Sequence, residues 1–111
     1  MKNHSNIGRE GEELAAGYLV EKGYSILERN FRCGRMEIDI IVENVDCLVF
    51  VEVKSRSSSR FGYPEDGLGA DQEERIRIAA EDYLNQLEHP KRIRFDIIAI
   101  LWGPTPQIKQ F

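Results

Sequence analysis

The sequence predicts an α/β fold in which two helices flank a four-stranded mixed sheet, with the element order α-β-β-β-α-β. Residues 7–22 and 71–88 repeat apolar side chains at helical spacing. The remaining apolar segments are short and rich in β-branched and aromatic residues, which is typical of strands. A chain of 111 residues suits one domain with one core, so residues 1–111 are interpreted as a single domain. The strands are expected at residues 24–32, 36–42, 48–56 and 95–102.

Each predicted helix carries one apolar stripe. In the first helix the stripe includes Leu14, Tyr18 and Leu19, and Gly23 occupies the position where helices commonly stop. The second helix follows a predicted loop at residues 57–70, which is rich in Ser, Gly and Pro, and joins the third and fourth strands as a crossover. Its apolar stripe consists of Ile76, Ala79, Ala80, Tyr83 and Leu87, and the last strand is expected to stop before Pro104 and Pro106.

Residues 36–56 predict a β-hairpin, because two strand-forming runs flank a short polar segment. Side chains alternate between the two faces of a strand, so the loop length decides which residues meet. A four-residue loop would place Asp39 opposite Glu52, whereas a two-residue loop would place an apolar residue there. Both loops bring Asp39, Glu52 and Lys54 to one face of the sheet. A three-residue loop without a bulge would separate them.

The two acids of the hairpin point to a divalent cation. With the four-residue loop, the Cβ atoms of Asp39 and Glu52 would be roughly 5 Å apart. Two carboxylates that close repel each other unless a cation lies between them. Carboxylate oxygens favour Mg²⁺ or Mn²⁺ over Zn²⁺. The alternative is a plain ion pair between Glu52 and Lys54 at the end of the sheet.

The composition argues against several classes of protein. A net charge of −4 and a pI of about 5.2 do not suit a protein held on nucleic acid by its overall positive charge. The apolar run 97–102 is too short to cross a bilayer, so no membrane association is expected. Cys33 and Cys47 lie outside any Cys-x-x-Cys pair, which disfavours a zinc site. Reduced thiols in a cytoplasmic protein are expected, with a bridge between the two as the alternative.

The charge is segregated along the chain. The second helix region is acidic, whereas arginines gather around the hairpin. We therefore expect a local basic rim beside the carboxylates, which would contact phosphates without reading bases if the acids form a nuclease-type site. The alternative for each arginine is an ordinary solvated or ion-paired side chain. The arginines expected to contact nucleic acid are Arg9, Arg32, Arg35 and Arg56.

Motifs spread over nearly the whole chain resemble those of known nucleases. Asp39 followed by Glu52-Val53-Lys54 resembles the PD-(D/E)xK nuclease signature. The full set resembles the YraN-like family, a bacterial family of predicted endonucleases, and is more distantly similar to Holliday-junction resolvases. The other motifs are Gly8-Arg9-Glu10-Gly11-Glu12, Arg29-Asn30-Phe31-Arg32, Glu37-Ile38-Asp39-Ile40-Ile41, Phe50-Val51-Glu52-Val53-Lys54-Ser55-Arg56, Phe61-Gly62, Ala79-Ala80 with Tyr83-Leu84, and Arg94-Phe95-Asp96.

The resemblance implies an αβββαβ core of the restriction-endonuclease-like type and a Mg²⁺- or Mn²⁺-dependent DNA endonuclease, with selectivity for DNA structure as a further expectation. Asp39, Glu52 and the Val53 carbonyl would hold the metal, joined by Glu12 directly or through water. Lys54 would orient the attacking water and stabilise charge on the phosphate. A homodimer is a plausible assembly, because a duplex has two strands to cut.

The chain departs from the family pattern at two positions. Met36 stands where the family usually has Gly, and Gln72 stands where it usually has Lys at the start of the second helix. If that Lys contacts phosphate, its replacement favours a competing interpretation. In that interpretation the protein is a non-catalytic module that binds nucleic acid or a protein partner on a nuclease scaffold.

Overall fold

The computed structural model describes residues 4–56, 70–87 and 91–111, with side chains from residue 8 onward and from residue 71 in the second helix. Two helices and five strands follow one another in the order α-β-β-β-α-β-β. The predicted loop at 57–70 lies outside the described residues up to residue 69. The elements are α1 (His4–Glu21), β1 (Ser25–Cys33), β2 (Met36–Glu43), β3 (Cys47–Arg56), α2 (Ala70–Leu84), β4 (Arg92–Leu101) and β5 (Gln107–Gln110).

The described strands form one mixed sheet in the order β1-β2-β3-β4-β5. Only β3 and β4 run parallel among these neighbours, and α2 lies between them in the chain, as the predicted crossover requires. The prediction of four strands was wrong, because Gln107–Gln110 adds a fifth strand antiparallel to β4. Pro104 and Pro106 interrupt the extended chain, but the segment then turns back and pairs along the free edge of β4.

Each face of the sheet carries its own buried cluster. Residues on one face of β2, β3 and β4 pack against Ala15, Ala16 and Leu19 of α1. The other face packs against α2 through Ile76, Ala79, Ala80 and Tyr83. The residues Cys47 to Val51 of β3 are all buried, as expected of a central strand covered on both sides.

The observed bounds differ from the prediction at the ends of α2 and β4. Helix α2 ends at Leu84 rather than residue 88, and β4 begins at Arg92 rather than residue 95. The early start of β4 follows from its partner, since Arg92 pairs with Cys47 at the very beginning of β3. Within the described residues, no helix is both long and apolar enough to cross a membrane.

Helix α1 approaches the sheet most closely at Gly11. A Cβ atom at this position would lie 3.2 Å from Ser55 Oγ and 3.3 Å from Ser55 Cβ. The Ser55 hydroxyl accepts a hydrogen bond from Trp102 Nε1, so this side chain has little freedom to move away. The absence of a side chain at Gly11 therefore sets the distance between α1 and β3, and with it the position of the neighbouring Glu12.

We predict that Gly11→Val destabilises the protein by about 1–3 kcal/mol, because the larger side chain overpacks the contact with Ser55. Gly17→Val is the matched control in the same helix, since a Cβ there would meet nothing within 4 Å. Urea unfolding of the two variants measures the difference. Equal stabilities would show that α1 is not held at this distance by Gly11.

Candidate active site

The β2–β3 hairpin has the register that a four-residue loop produces. Ile40 pairs with Val51 and Glu43 pairs with Leu48, leaving residues 44–47 as the loop. Asn44 closes this loop, because its Oδ1 accepts the backbone N–H groups of residues 46 and 47 at 2.9 and 2.7 Å. Continued by one residue, this register places Asp39 opposite Glu52.

Asp39 lies where the two strands separate. The β2–β3 pairing ends at Ile40, and beyond it the Val53 N–H donates to Asp39 Oδ2 at 2.8 Å instead of to a backbone carbonyl. The Asp39 and Glu52 carboxyl groups also lie close enough to interact directly. Two carboxyl groups this close favour a state in which one of them keeps a proton.

Asn30 of β1 has an unusual backbone conformation next to the site. It lies between Arg29 and Phe31, which pair with residues 40 and 38, so Asn30 stands opposite Asp39. Its φ of 54° is in the left-handed region, which Asn tolerates better than most residues. The alternation of β2 shifts at the same place, because Ile38 packs in the α2 cluster and Ile40 in the α1 cluster. Asp39 is therefore within reach of groups from both faces.

Asn30 also connects Glu12 to the hairpin. With its amide oriented to satisfy its hydrogen bonds, Asn30 Nδ2 donates to Glu12 Oε1 at 3.0 Å and to Glu37 Oε1 at 3.1 Å. Burial first, and then the charge of Glu37, raise the pKa of Glu12. The Glu12 charge in turn contributes to raising the pKa of Asp39. Glu12 thus belongs to the carboxylate cluster, and its role as a metal ligand stays a prediction.

Asp39 and Glu52 both have pKa values well above the range usual for carboxyl groups. Burial raises the pKa of Asp39 to about 6, while the hydrogen bond from Val53 N–H opposes the shift. Burial and the charge of Asp39 raise the pKa of Glu52 to about 8, while the charge of Lys54 opposes the shift. Since burial is the largest cause for both groups, the site lacks enough positive charge to balance its carboxylates.

Lys54 and Gln72 both act on Glu52. Lys54 is half-buried and close enough for its charge to stabilise the Glu52 carboxylate. Gln72, in the first turn of α2, donates from Nε2 to Glu52 Oε1 at 3.2 Å. The sequence marked Gln72 only as a departure from a family pattern. Its contact with Glu52 depends on how α2 is placed over the sheet, which the local sequence does not encode.

A cleft of about 250 Å³ opens beside the carboxylates, between the β1–β2 turn and α2. Asp39 and Glu52 line it together with two arginines, Arg35 from the turn and Arg75 from α2. Arg35 was expected near the site, but Arg75 was not. The sequence did contain a signal for Arg75, namely its spacing from Gln72. A residue three positions after Gln72 lies on the same side of a helix and so faces the same part of the sheet.

The other arginines expected to bind nucleic acid lie farther from this cleft or are already paired. Arg32 forms an ion pair of 3.1 Å with Glu37, although 73% of its side chain remains exposed. Arg9 is exposed on α1. Arg56 is exposed at the end of β3, where its Nη1 donates to the Ser55 carbonyl at 3.3 Å. The basic rim around the cleft thus consists mainly of Arg35 and Arg75.

The donor set of the cleft fits a small, hard cation. Among residues 8–56, 71–87 and 91–111, no three His, Cys, Asp or Glu side chains converge closely enough to hold a metal. Two carboxylates do meet, and Mg²⁺ commonly binds one or two carboxylates while retaining water. Asp39 and Glu52, with the adjacent backbone carbonyl of Val53, therefore suit Mg²⁺ or Mn²⁺, as their excess of negative charge also indicates.

Comparison with known proteins shows similarity along most of the chain. Residues 11–100 match the model of the uncharacterised protein family UPF0102. A UPF0102 protein of Phocaeicola vulgatus is 43% identical over 106 residues, which cover 96% of this chain and 88% of the relative. A UPF0102 protein of Rhodococcus opacus is 41% identical over 112 residues, covering 98% and 95%. Another, of Thermodesulfovibrio yellowstonii, is 44% identical over 94 residues, covering 85% and 84%.

We predict that, without metal, the carboxylate pair destabilises the protein as the pH rises. The folded state keeps protons on Asp39 and Glu52 that the unfolded chain releases near pH 4, because both folded pKa values are raised. The stability that the pair contributes is therefore complete below about pH 4 and is lost as the pH rises towards 8. Asp39→Asn should become progressively more stable relative to the parent over this range.

Urea unfolding between pH 5 and 8 in the presence of a chelator measures this difference. The asparagine can keep the hydrogen bond from Val53 N–H while removing the charge. Asp82→Asn is the control, because Asp82 is an exposed acid on α2. A pH-independent difference between Asp39→Asn and the parent would show that neither carboxyl group keeps a proton there.

Proposed function

This chain belongs to the uncharacterised protein family UPF0102, whose name states no activity, and we propose that it is a Mg²⁺- or Mn²⁺-dependent DNA endonuclease. The observation that carries the proposal is the contact between the Asp39 and Glu52 carboxyl groups beside Lys54, at the separated end of the hairpin. The resemblance of the same residues to the PD-(D/E)xK signature and to the YraN-like family supports it. On this proposal the fold is a restriction-endonuclease-like core extended by β5.

Asp39, Glu52 and the Val53 carbonyl are the groups that would hold the cation, with Glu12 joining directly or through water. When bound, Mg²⁺ or Mn²⁺ neutralises charge on the scissile phosphate and makes water a better nucleophile. Asp39 and Glu52 would hold such a cation in their deprotonated forms, so their mutual repulsion would be relieved there.

The residues of the chain itself position the reaction. The Val53 N–H fixes one oxygen of Asp39, and Gln72 fixes one oxygen of Glu52, so both carboxylates have a defined orientation. Lys54 follows Glu52 by two residues on the same strand, and its ammonium group would orient the attacking water. As the phosphorus gains a fifth oxygen, the same charge would stabilise the transition state.

The substrate is proposed to be the DNA backbone, with selectivity for DNA structure as in the resolvases that the sequence distantly resembles. Recognition through phosphates carries little information about base sequence. The negative net charge of the whole chain confines this recognition to the arginines near the cleft. A homodimer would place two such sites on the two strands of a duplex.

A second candidate function is a non-catalytic module that binds nucleic acid. The observation that favours it is Gln72, which hydrogen-bonds Glu52 where the YraN-like pattern has a lysine. A neutral amide offers no charge to a phosphate. This candidate keeps binding at the cleft but requires no cleavage, so an activity assay separates the two.

We predict cleavage of at least one DNA structure that depends on Mg²⁺ or Mn²⁺. Single-stranded, duplex, flap and four-way substrates should be tested in parallel with each cation and with a chelator. Asp39→Asn and Glu52→Gln should each abolish cleavage, whereas Asp82→Asn should retain it. Binding without cleavage of any substrate would contradict the endonuclease proposal and favour the non-catalytic module.

We also predict that Mn²⁺ raises the melting temperature of the parent protein more than that of Asp39→Asn, since a ligand stabilises the state that binds it. Without metal, Asp39→Asn should melt at the same temperature as the parent or slightly higher near pH 8. A buried ion pair involving Asp39 would give the opposite result, with a loss of about 3–5 kcal/mol on neutralisation. Thermal melts of both proteins with and without Mn²⁺ distinguish these outcomes.

A further inference from the structure

Two arginines in the cleft have no acidic partner among the residues that the structure describes. Arg35 and Arg75 both line the space beside the carboxylate pair. Within the described parts of the chain, neither makes an ion pair or a side-chain hydrogen bond. They come from different elements, the β1–β2 turn and the second turn of α2, so the fold brings them to one cleft from separate parts of the sequence.

The absence of an ion pair at Arg35 and Arg75 within the described ranges is unexpected, because the chain is rich in acidic residues. The chain has 19 acidic and 15 basic residues, and several arginines near the hairpin or on α2 do form ion pairs. Arg75 directly follows Glu73 and Glu74, yet Glu74 pairs with Arg77 instead. The paired arginines are Arg29 with Glu13, Arg32 with Glu37, Arg77 with Glu74 and Arg94 with Asp96.

A ligand of this cleft must interact favourably with both the arginines and the carboxylates that line it. Guanidinium groups bind anions such as phosphate through two hydrogen bonds at once. The adjacent carboxylates would repel an anion unless it arrives with a cation between them. A phosphodiester bound together with a divalent cation meets both conditions.

The size of the cleft restricts how much of a nucleic acid it takes. Its volume of about 250 Å³ is below the roughly 300–1,000 Å³ typical of pockets that enclose small-molecule ligands. A phosphate group and part of its sugar fit such a space. Because two guanidinium groups line the cleft beside the carboxylates, the part of a nucleic acid expected to bind there is the charged backbone rather than a neutral base.

We infer that Arg75 is a phosphate-binding residue that, with Arg35, holds one backbone phosphate of DNA at the Asp39–Glu52 pair. This inference rests on the proposed function and deepens it. It specifies that the protein contacts the DNA backbone and that helix α2 supplies one of the contacting residues. Gln72 and Arg75 then have distinct tasks one turn apart on the helix: Gln72 positions Glu52, and Arg75 positions the phosphate.

The test compares Arg75→Gln with Arg77→Gln, which removes the same charge from the same helix but outside this cleft. Binding of fluorescent single-stranded and duplex DNA is measured in Ca²⁺ over a range of salt concentrations, with gels to confirm that the DNA stays intact. Arg75→Gln should weaken binding about ten-fold at low salt. It should also lower the salt slope by about 0.9 for duplex or about 0.7 for single strands, whereas Arg77→Gln should leave the slope unchanged.

An oligomer of abasic deoxyribose phosphates tests whether the contact is to the backbone. The fold-loss caused by Arg75→Gln should be the same on this oligomer as on ordinary single-stranded DNA of equal length. A loss that disappears without bases would overturn the backbone assignment. Arg75→Lys should restore part of the binding, because a lysine keeps the charge without the paired hydrogen bonds.

The two proposals fail in different ways. Equal effects of Arg75→Gln and Arg77→Gln, in a parent that cleaves DNA, would overturn the role of Arg75 alone. A parent that binds DNA through Arg75 but never cleaves would support the phosphate contact and overturn the endonuclease. Absence of DNA binding by the folded parent would overturn the phosphate contact. Thermal melts of each variant confirm that it is folded.

Discussion

The hydrogen bond from the Val53 N–H to Asp39 Oδ2 determines the arrangement of the site. At this point β2 and β3 no longer pair, and a side-chain carboxylate satisfies the backbone donor that a carbonyl would otherwise satisfy. Asp39 must therefore lie between the strands, where it is largely buried and next to Glu52. The opening for a cleft and the burial of Asp39 beside Glu52 follow from this replacement. That burial raises the pKa of both groups, although the Val53 hydrogen bond itself opposes the shift at Asp39.

The sequence contains enough information to predict most of the hairpin but not the choice of its register. Alternation placed Asp39, Glu52 and Lys54 together for either of two loop lengths. The four-residue loop is selected by Asn44, whose side chain caps two backbone N–H groups of the turn. That cap is a recognisable local signal. The fold class and both helices were likewise predictable, since their apolar patterns face the two sides of the sheet.

The features that the sequence did not reveal depend on contacts between distant segments. Strand β5 is short and largely polar, so only its pairing with β4 identifies it as a strand. Gln72 and Arg75 reach the cleft because of the rotation of α2 about its own axis, which is set by Ile76 and Ala79 in the buried cluster. Asn30 meets Asp39 only through the β1–β2 register. The expected basic rim was reduced for a similar reason, since Glu37 forms an ion pair with one of its arginines, Arg32.

The site has two parts, the Asp39–Glu52 pair and the α2 residues Gln72 and Arg75. They differ in how far apart in the sequence the paired segments that form them lie. Asp39 and Glu52 meet across a hairpin of adjacent strands, so little entropy is lost in bringing them together. Gln72 and Arg75 come into place only when α2 packs on the sheet and β4 aligns in parallel with β3, a pairing of residues 45 positions apart in the chain. Such non-local pairing is the slow part of folding. The acidic part of the site thus depends on local strand pairing, and the part contributed by α2 is completed only with the whole sheet.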